Sequence, residues 1–406
     1  MSEWKEYKLG DLYDVHNGLS KGGKFFGSGY PFLSFKTVFN NYFLPPVLPD
    51  LVQSDEKEQS GYNIKRGDVF VTRTSETPEE LGMSSVALKD YPFATYNGFT
   101  KRLRPKTTSL VYPEFIGYYL RSTKFRAFFY GFASSMSTRA SLANGDLLGM
   151  SVFLPSLVTQ RNIASILSSL DDKIAVNKKI CENLEAQAQA LFKHWFVDFA
   201  PFKDGKFVES ELGLIPEGWR VASLSSIAEY RNGLAMQKFR PKEGEEGLPV
   251  LKIKELGQGG FDVNSELSSP SKIGDKYTIN DGDIIFSWSG TLMVKIWCGG
   301  KCGLNQHLFV VVPNDYPKWF VYLWTRHHLD NFIRIAKDKA VTMGHIKRGE
   351  LDKAMVVVPS DEDLNKIDAL IAPIHQQIVN SEIESRRLAT LRDALLPKLM
   401  SGQIKV

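Results

Sequence analysis

The chain has 406 residues, 43% of them hydrophobic and 24% charged, which is typical of a globular protein with two or more domains. No apolar run approaches the roughly 20 residues that cross a bilayer, no signal-peptide segment opens the chain, and three cysteines are too few for a disulfide framework, so a cytoplasmic location is expected. A net charge of only +4 excludes a uniformly basic protein, so any site for a polyanion must be a local patch.

An internal repeat organises the chain. At an offset of 215, residues 4–19 (WKEYKLGDLYDVHNGL) match 219–234 (WRVASLSSIAEYRNGL), and 62–70 (YNIKRGDVF) match 277–285 (YTINDGDII); at an offset of 204, residues 111–119 match 315–323. Ordered matches whose offset changes only through loops indicate a duplication of about 200 residues. The order is a globular half, a long helix, a second globular half and a second long helix.

Both globular halves have a mixed α and β pattern. Short β-branched and aromatic runs between Gly, Pro and Asn turns predict strands at Val69–Thr72, Ile284–Ser287, Leu308–Val312 and Met355–Val358. One amphipathic helix is predicted after each Tyr-Pro pair, over residues 113–130 and 317–336. Residues 201–217 are rich in Gly, Pro and charged residues, which predicts a linker, and its aromatic residues predict that it packs against a domain.

The stretch from Gln160 to Trp195 predicts a coiled-coil helix. Its seam recurs at steps of four and three: Ile163, Leu167, Leu170, Ile174, Asn177, Cys181, Leu184, Ala188, Leu191 and Trp195. No Pro or Gly interrupts it, and at 1.5 Å per residue it spans roughly 50–55 Å. A helix of this length is either a spacer or one member of a pair.

The second long helix is less regular. Ser360 and Asp363 form a capping-box start, and Pro397 with Gly402 predicts the end. Its seam consists of Ile367, Ile371, Ile374, Ile378, Leu388, Leu395 and Leu399, with Ser381, Ser385 and Arg392 as polar members. Pro373, aligned with Ser169, predicts a kink or restart. We expect antiparallel packing of the two helices, in which the aligned Asn177 and Ser381 either fix the register or face water.

The predicted fold class is therefore α+β: two mixed α/β domains separated by two long helices packed as an antiparallel coiled coil. The expected boundaries are 1–155 for the first domain, 156–200 for the central helix, 201–217 for the linker, 218–360 for the second domain and 361–406 for the C-terminal helix.

Several phrases resemble the specificity subunits of type I restriction–modification systems. They are residues 154–174 (LPSLVTQRNIASILSSLDDKI), 191–202 (LFKHWFVDFAPF), 210–219 (SELGLIPEGW) and 391–406 (LRDALLPKLMSGQIKV), together with the Gly-Asp strands at 67–70 and 282–285 and the tripeptide 305–307. The resemblance covers the whole chain in order. It implies two target-recognition domains that each read one half of a split DNA site. It also implies that the long helices space these domains and dock two adenine methyltransferase subunits.

Catalytic and cofactor motifs were sought and are weak. Residues 18–24 fit a phosphate-loop spacing, but Phe25 stands where Ser or Thr would hold Mg²⁺. Cys298, Cys302 and His307 supply only three of four zinc ligands, and Asp171 with Asp172 is interpreted as a helix-surface pair. His327 and His328 are interpreted as surface or DNA-facing residues. We expect a non-enzymatic chain without a metal or cofactor; the resemblance assigns S-adenosylmethionine, ATP and Mg²⁺ to partner subunits.

Duplex DNA is read by cations near phosphates and by polar side chains at base edges. Candidates in the first half are Lys36, Arg73, Thr74, Asn97, Lys101, Arg102, Arg104, Ser137, Thr138 and Arg139. Candidates in the second half are Lys252, Lys254, Trp288, Lys295, Asn305, Gln306, His307, Thr342, Met343, His345, Lys347 and Arg348. The loops 134–141 and 340–348 rank highest, because aligned positions with different neighbours (Arg139 against Met343, Ser141 against His345) suit two different half-sites.

Other interpretations stay open at this point. Arg73 or Lys254 could be a solvated surface charge, and Asn97 and Asn305 could serve turns. For the whole chain, the expected partners are double-stranded DNA, two methyltransferase subunits and, through the complex, restriction subunits, with no membrane. The alternative is a coiled-coil scaffold whose halves bind polypeptides. Salt-sensitive binding with a split sequence preference would favour the first interpretation.

Overall fold

The protein was analysed as a computed structural model, which describes residues 4–75, 77, 80–107, 109–134, 140–338 and 344–406. The chain forms two compact units. The first runs to Asp172 and takes up Ala389–Val406 again, and the second is Lys173–Leu388. Each unit therefore combines one globular half with part of both long helices.

The first half and the helix that follows it contain eleven strands and seven helices within the described residues. The strands are β1 (Lys5–Lys8), β2 (Tyr13–Asn17), β3 (Phe26–Leu33), β4 (Asp50–Val52), β5 (Val69–Thr72), β6 (Thr74–Ser75), β7 (Ser84–Val86), β8 (Thr95–Tyr96), β9 (Thr100–Pro105), β10 (Ala140–Ser141) and β11 (Ser151–Leu154). The helices are α1 (Leu9–Leu12), α2 (Phe35–Asn40), α3 (Glu56–Gly61), α4 (Pro113–Tyr119), α5 (Thr123–Ser134), α6 (Asn144–Leu148) and the long α7 (Leu157–Phe192).

The second half repeats this order after a short hairpin. Its strands are β12 (Phe207–Ser210), β13 (Gly213–Pro216), β14 (Arg220–Ser223), β15 (Ala228–Asn232), β16 (Leu248–Leu251), β17 (Leu267–Ser268), β18 (Thr278–Ile279), β19 (Asp283–Ser287), β20 (Met293–Trp297), β21 (Cys302–Leu304), β22 (Leu308–Pro313) and β23 (Met355–Val358). Its helices are α8 (Leu224–Ile227), α9 (Ile253–Gln258), α10 (Pro270–Ile273), α11 (Lys318–His327), α12 (Leu329–Asp338), α13 (Gly349–Lys353) and the long α14 (Asp361–Met400).

The repeat is confirmed by the sheets. The main sheet of the first half has the order β2-β9-β5-β7, and that of the second half has the order β15-β22-β19-β20, both antiparallel. A parallel pair recurs beside each, β3 with β8 and β16 with β21. The predicted strands at Val69–Thr72 and Met355–Val358 have the observed bounds, and the other two differ by one residue at one end.

Two expectations about helices are wrong. Each amphipathic segment after a Tyr-Pro pair is two consecutive helices, α4 with α5 and α11 with α12. The second long helix also does not restart at Pro373, because α14 is continuous from Asp361 to Met400. Its end agrees with the predicted Pro397–Gly402 signal, since Gly402 just beyond it is in the left-handed region. Pro373 cannot donate to the carbonyl of Ala369, but both residues are exposed, so water can solvate that carbonyl at little cost.

Within the second unit the long helices pack antiparallel around a buried polar pair. Asn177 and Ser381 are 1% and 2% exposed, and the Asn177 amide donates to the Glu384 carboxylate at 2.7 Å. One turn on in α7, Cys181 lies 3.7 Å from the carbonyl of Ile378, so the numbering runs in opposite directions. The alternative that the polar positions face water is wrong, and a satisfied polar pair of this kind fixes register.

A second polar contact joins the same two helices within the first unit. The Arg392 guanidinium donates to Asp171 at 2.6 Å, and the Tyr118 hydroxyl of α4 donates to the same carboxylate at 2.6 Å. Asp171 is therefore a partner in a polar network that ties α4 to both long helices, which corrects its interpretation as a helix-surface residue. Leu167 and Leu399 are buried in the core of this unit.

The segment between the halves packs against the second unit, as expected from its aromatic residues. Residues 207–216 form the hairpin β12–β13, and Ile215 is 2% exposed. The ring centroids of Phe202 and Trp219 are 4.9 Å apart. Trp219 in turn donates its indole N–H to Asp363 in the first turn of α14 at 2.9 Å.

Candidate nucleic-acid interface

Several of the described candidate residues lie at one end of each main sheet. In the first half, β2 ends at Asn17, β5 ends at Thr72, and β9 begins between them at Thr100. In the second half, β15 ends at Asn232, β19 ends at Ser287, and β22 begins between them at Leu308. We define the first edge as Asn17, Arg73, Asn97, Phe99 and Lys101, and the second edge as Asn232, Trp288, Asn305, His307 and His345.

The same backbone hydrogen bonds hold Arg73 and Trp288, which are 215 positions apart. The N–H of Leu142 donates to the carbonyl of Arg73 at 2.8 Å, and the N–H of Ile346 donates to the carbonyl of Trp288 at 3.1 Å. Next to these bonds, Thr74 pairs with Ser141, and Ser289 pairs with His345. The loops that follow α5 and α12 therefore return to the same place on the two edges.

Asn97 and Asn305 close equivalent turns. The Asn97 side-chain oxygen accepts from the N–H of Phe99 at 2.6 Å, and that of Asn305 accepts from the N–H of His307 at 3.2 Å. Their backbones also form equivalent bridges to Leu19 and Leu234. The turn interpretation of both residues is confirmed, and the contact with bases that was also predicted for them stays a prediction.

A glycine permits each of these turns to approach the preceding strand. A Cβ atom on Gly18 would lie 2.0 Å from the carbonyl oxygen of Asn97, and one on Gly233 would lie 2.3 Å from that of Asn305. Real Cβ atoms do not approach backbone oxygens this closely. The Asn-Gly-Leu sequence found in both copies of the repeat is therefore part of the scaffold of the edges.

The first edge carries two cations side by side. Lys101 is 4% exposed and donates to the side-chain oxygens of Asn17, at 3.1 Å, and Asn144. Burial, and then the charge of Arg73, lower the pKa of Lys101. Arg73 is partly buried, and its Nε–H has no hydrogen-bond partner. Among the described residues, neither cation forms an ion pair with a carboxylate.

The candidate cations Lys101, Arg102 and Arg104 belong to one segment of the first half. It lies on β9, inside the sheet, where Arg102 is 8% exposed and donates to the carbonyl of Asn63 at 2.7 Å. Arg104 pairs with the fully buried Asp68 at 2.6 Å. Partners within the protein occupy Arg102 and Arg104, which disfavours their predicted contact with DNA, whereas DNA contact by Lys101 stays a prediction.

The second edge is aromatic and uncharged at the corresponding place. Trp288 donates its indole N–H to the Asn232 side chain at 3.0 Å, and its ring stacks on Phe309 with centroids 5.7 Å apart. The rings of His307 and His345 lie 6.2 and 6.3 Å from Trp288. His307 contacts Ser289 at 3.2 Å through Nδ1, while Nε2 lies 3.3 Å from the Gln306 amide.

The remaining candidate cations have varied settings. Lys36 on α2 and Lys347 are exposed. Lys252 and Lys254 form ion pairs with Glu266 and Asp262, at 2.6 and 2.8 Å. Lys295 donates a hydrogen bond to the carbonyl of Gly257 at 3.0 Å, and Arg348 donates one to the carbonyl of Tyr230 at 2.8 Å.

The two loops ranked highest from the sequence are only partly described. Ser137, Thr138, Arg139, Thr342 and Met343 lie outside the described residues. The chain that follows each gap borders the edge, through Ser141 in the first half and His345 in the second. Base reading by the five residues stays a prediction.

The structure also shows the settings of the two adjacent histidines and of the two cysteines that the sequence singled out. His328 stacks on Trp324 and its Nε2 contacts the carbonyl of Met355 at 2.9 Å, and burial lowers its pKa to about 4. His327 is exposed, which agrees with its interpretation as a surface residue, and its ring centroid lies 5.6 Å from that of Phe192. Cys298 and Cys302 are buried. Across the described ranges, no cluster of His, Cys, Asp or Glu could hold a metal ion.

Phe99 is an edge residue that the sequence reasoning missed. Its side chain is 59% exposed, and it occupies the turn position that His307 occupies in the second half. An offset of 208 relates the two, the same offset that relates Asn97 to Asn305. Extending the Asn97–Asn305 alignment by two residues would have found it. Asn17 and Asn232 also lay within the aligned motif, but their roles depend on long-range contacts.

Comparisons with known proteins agree with this architecture. A family model described as the type I restriction modification DNA specificity domain matches residues 1–186 and again 216–392. The chain is 28% identical to the type I restriction enzyme MjaIX specificity subunit of Methanocaldococcus jannaschii, over all of this chain and 94% of that one. It is 24% identical to the HindI specificity subunit of Haemophilus influenzae, with both chains fully covered.

A solved structure has the same fold. It is that of a type I restriction–modification S subunit from M. genitalium, which matches with a TM-score of 0.57 at 15% identity and covers 98% of this chain and 96% of its own. No helix in the described part of the chain is long and apolar enough to cross a membrane.

Proposed function

The chain belongs to the type I restriction–modification DNA specificity family, and from this membership we propose that its two edges each read one half of a bipartite DNA site. As a specificity subunit it recognises a DNA target. The division of that target between the edges, and the residues that contact it, are the proposal. The candidates at the edges are side chains that can contact base edges or phosphates.

One observation carries the proposal: the two edges share a scaffold and differ in chemistry. Equivalent hydrogen bonds hold Arg73 and Trp288, and equivalent Asn turns hold Phe99 and His307. A protein that read the same sequence twice would need the same side chains at these positions. One that reads two different half-sites needs a repeated frame with different side chains, as this chain has.

The long helices are proposed to set the gap between the half-sites and to dock two adenine methyltransferase subunits. In support, each helix contributes to the core of both compact units, and polar pairs fix its register within each unit. Catalysis, with S-adenosylmethionine for methylation and with ATP and Mg²⁺ for translocation and cleavage, is assigned to partner subunits. This chain would contribute recognition and assembly.

The direct test is to map methylated adenines genome-wide in cells that carry the chain and its methyltransferase subunit. The expected result is one motif with two defined halves and an undefined gap of constant length. Binding of the purified complex to that motif should fall steeply with salt. The absence of both a motif and salt-sensitive binding would favour the alternative of a scaffold that binds polypeptides.

The proposed spacing role has its own test. Deleting one heptad from each long helix, at positions that face each other, removes roughly 10 Å of helix. The expected motif keeps both half-sites and changes or loses its gap. A folded variant that methylates the original motif with the original gap would show that the helices do not set the spacing.

A further inference from the structure

We infer that Arg73 reads a guanine in the half-site of the first edge and that the second edge makes no such contact at the corresponding position. This inference rests on the proposed function and deepens it by naming a base. Guanine presents two acceptors in the major groove, N7 and O6, and arginine pairs with both at once. Arginine has five N–H donors and no acceptor, so its unpaired donors suit this base.

The setting of Arg73 is that of a residue prepared for an external acceptor. Its backbone is held on both sides, since its N–H donates to the carbonyl of Phe99 at 3.0 Å and its carbonyl accepts from the N–H of Leu142 at 2.8 Å. Its side-chain Nε–H is buried without a partner. The fixed backbone thus positions a guanidinium for which no described residue supplies an acceptor.

Lys101 increases the demand for such an acceptor. It is buried beside Arg73, and its partners Asn17 and Asn144 are uncharged. Two neighbouring cations without a described carboxylate partner repel each other, and the cost is recovered only when electron-rich atoms approach. The acceptors of a guanine edge, with the phosphates around it, are such atoms.

The second edge lacks this chemistry. Trp288 stands at the position of Arg73, and its single N–H is already donated to Asn232 at 3.0 Å. Leu308 stands at the strand start where the first half has Thr100, so the next residue, Phe309, replaces Lys101. The second half-site is therefore recognised by stacking, apolar contact and imidazole or amide groups. The two half-sites should differ in whether a guanine is required here.

The test uses the complex of the full chain with its methyltransferase subunit. After the methylation motif is mapped, duplexes are made in which each guanine of the motif is replaced in turn by 7-deazaguanine, which lacks the N7 acceptor. We expect one guanine, in one half-site, whose replacement weakens binding by roughly 5- to 150-fold. The Arg73→Met complex should bind the natural and substituted duplexes equally and methylate a motif in which that position is degenerate.

Three controls separate base reading from a structural role. Arg73→Met should melt at or above the temperature of the unmodified chain, because it removes an unsatisfied buried donor. Arg73→Lys, which keeps a charge without the forked donors, should retain non-specific affinity and lose the guanine preference. Trp288→Phe, the matched change at the second edge, should leave the first half-site and its guanine unchanged.

The inference is overturned if Arg73→Met and Arg73→Lys both preserve the complete motif, or if no guanine responds to replacement in the unmodified chain. It is also overturned if Arg73→Met removes the guanine preference only by unfolding the first unit while Arg73→Lys keeps it. A complex that directs no two-part motif at all overturns the proposed function, and this inference with it. An intact two-part motif that does not depend on Arg73 overturns the inference alone.

Discussion

The first and second edges compare as two versions of one frame. The frame repeats almost bond for bond, from the Gly-Leu bridge to the Asn turn and the returning loop, whereas the side chains that it presents change class. Arg73 and Lys101 place two cations at the first edge, and Trp288 and His307 place aromatic rings at the second. Geometry and specificity are thus carried by different residues, so each can be altered without the other.

The largest expected effect comes from breaking the shared frame. Gly18→Ala and Gly233→Ala each place a Cβ against a backbone oxygen, which should cost about 1–3 kcal/mol in free energy of unfolding, because backbone has to move. Thermal melting and hydrogen exchange should locate the loss in the first unit for Gly18 and in the second for Gly233.

The controls for the glycine changes are Gly22→Ala and Gly349→Ala, in the same two halves, where an added Cβ meets no atom within 4 Å. Both should be close to neutral. If Gly18→Ala lowers the free energy of unfolding and Gly233→Ala does not, the backbone frames of the two edges are not equivalent. That result would contradict the comparison between the edges.

A medium effect is expected from acid. Six of the seven histidines belong to the second unit, and burial lowers the pKa of His328 and of His375 to about 4. The His328 ring contacts the carbonyl of Met355, and the charge of Lys318 further lowers the pKa of His375. These two histidines bind protons near pH 6.5 in the unfolded chain but only near pH 4 in the folded chain. The free energy of unfolding should therefore fall as the pH drops from about 6.5 towards 4.

This acid sensitivity should be confined to the second unit. Hydrogen exchange at pH 7 and pH 5 should show loss of protection there and little change in the first unit. The double variant H328Q H375Q should remove most of the difference between the two pH values. Equal loss in both units, or undiminished loss in the double variant, would contradict the assignment.

The smallest expected effect on stability is at Phe99. Because its side chain is 59% exposed, Phe99→Ala should change the free energy of unfolding by less than about 0.5 kcal/mol. It should nevertheless weaken binding to the first half-site by removing apolar contact in the groove. Phe93→Ala, an equally exposed phenylalanine outside the edge, should weaken neither. If Phe99→Ala binds as the unmodified chain does, Phe99 is only a surface residue.

Much of the architecture was predictable from the sequence because it rests on periodicity. The repeat required only aligned motifs, and the seam of α7 required only regular spacing, so both agree with the structure. Asn177 was identified as a polar seam member, but its burial depended on Glu384, which is 207 positions away. Spacing indicates which residues share a helix face and cannot show what lies opposite.

The errors have the same physical origin. The run from Lys101 to Arg104 is basic by composition, and only the folded sheet brings Asp68 and Asn63 against it. The sequence predicted a solvated surface charge at Asp171, whereas in the fold Tyr118 and Arg392 donate hydrogen bonds to its carboxylate. Local propensity also predicted a break in α14 at Pro373. The helix continues there because solvent can hydrogen-bond the exposed carbonyl that Pro373 leaves without a donor.

The division of both long helices between the two units has a consequence for synthesis on the ribosome. The second unit is one uninterrupted segment, Lys173–Leu388, whereas the first needs Ala389–Val406, including the buried Leu396 and Leu399. Domains usually fold as they emerge, N-terminal first. Here the half that is made first must wait, with an incomplete core, until residues 389–406 have been made. Synthesis of these eighteen residues therefore decides when recognition by the first half can begin.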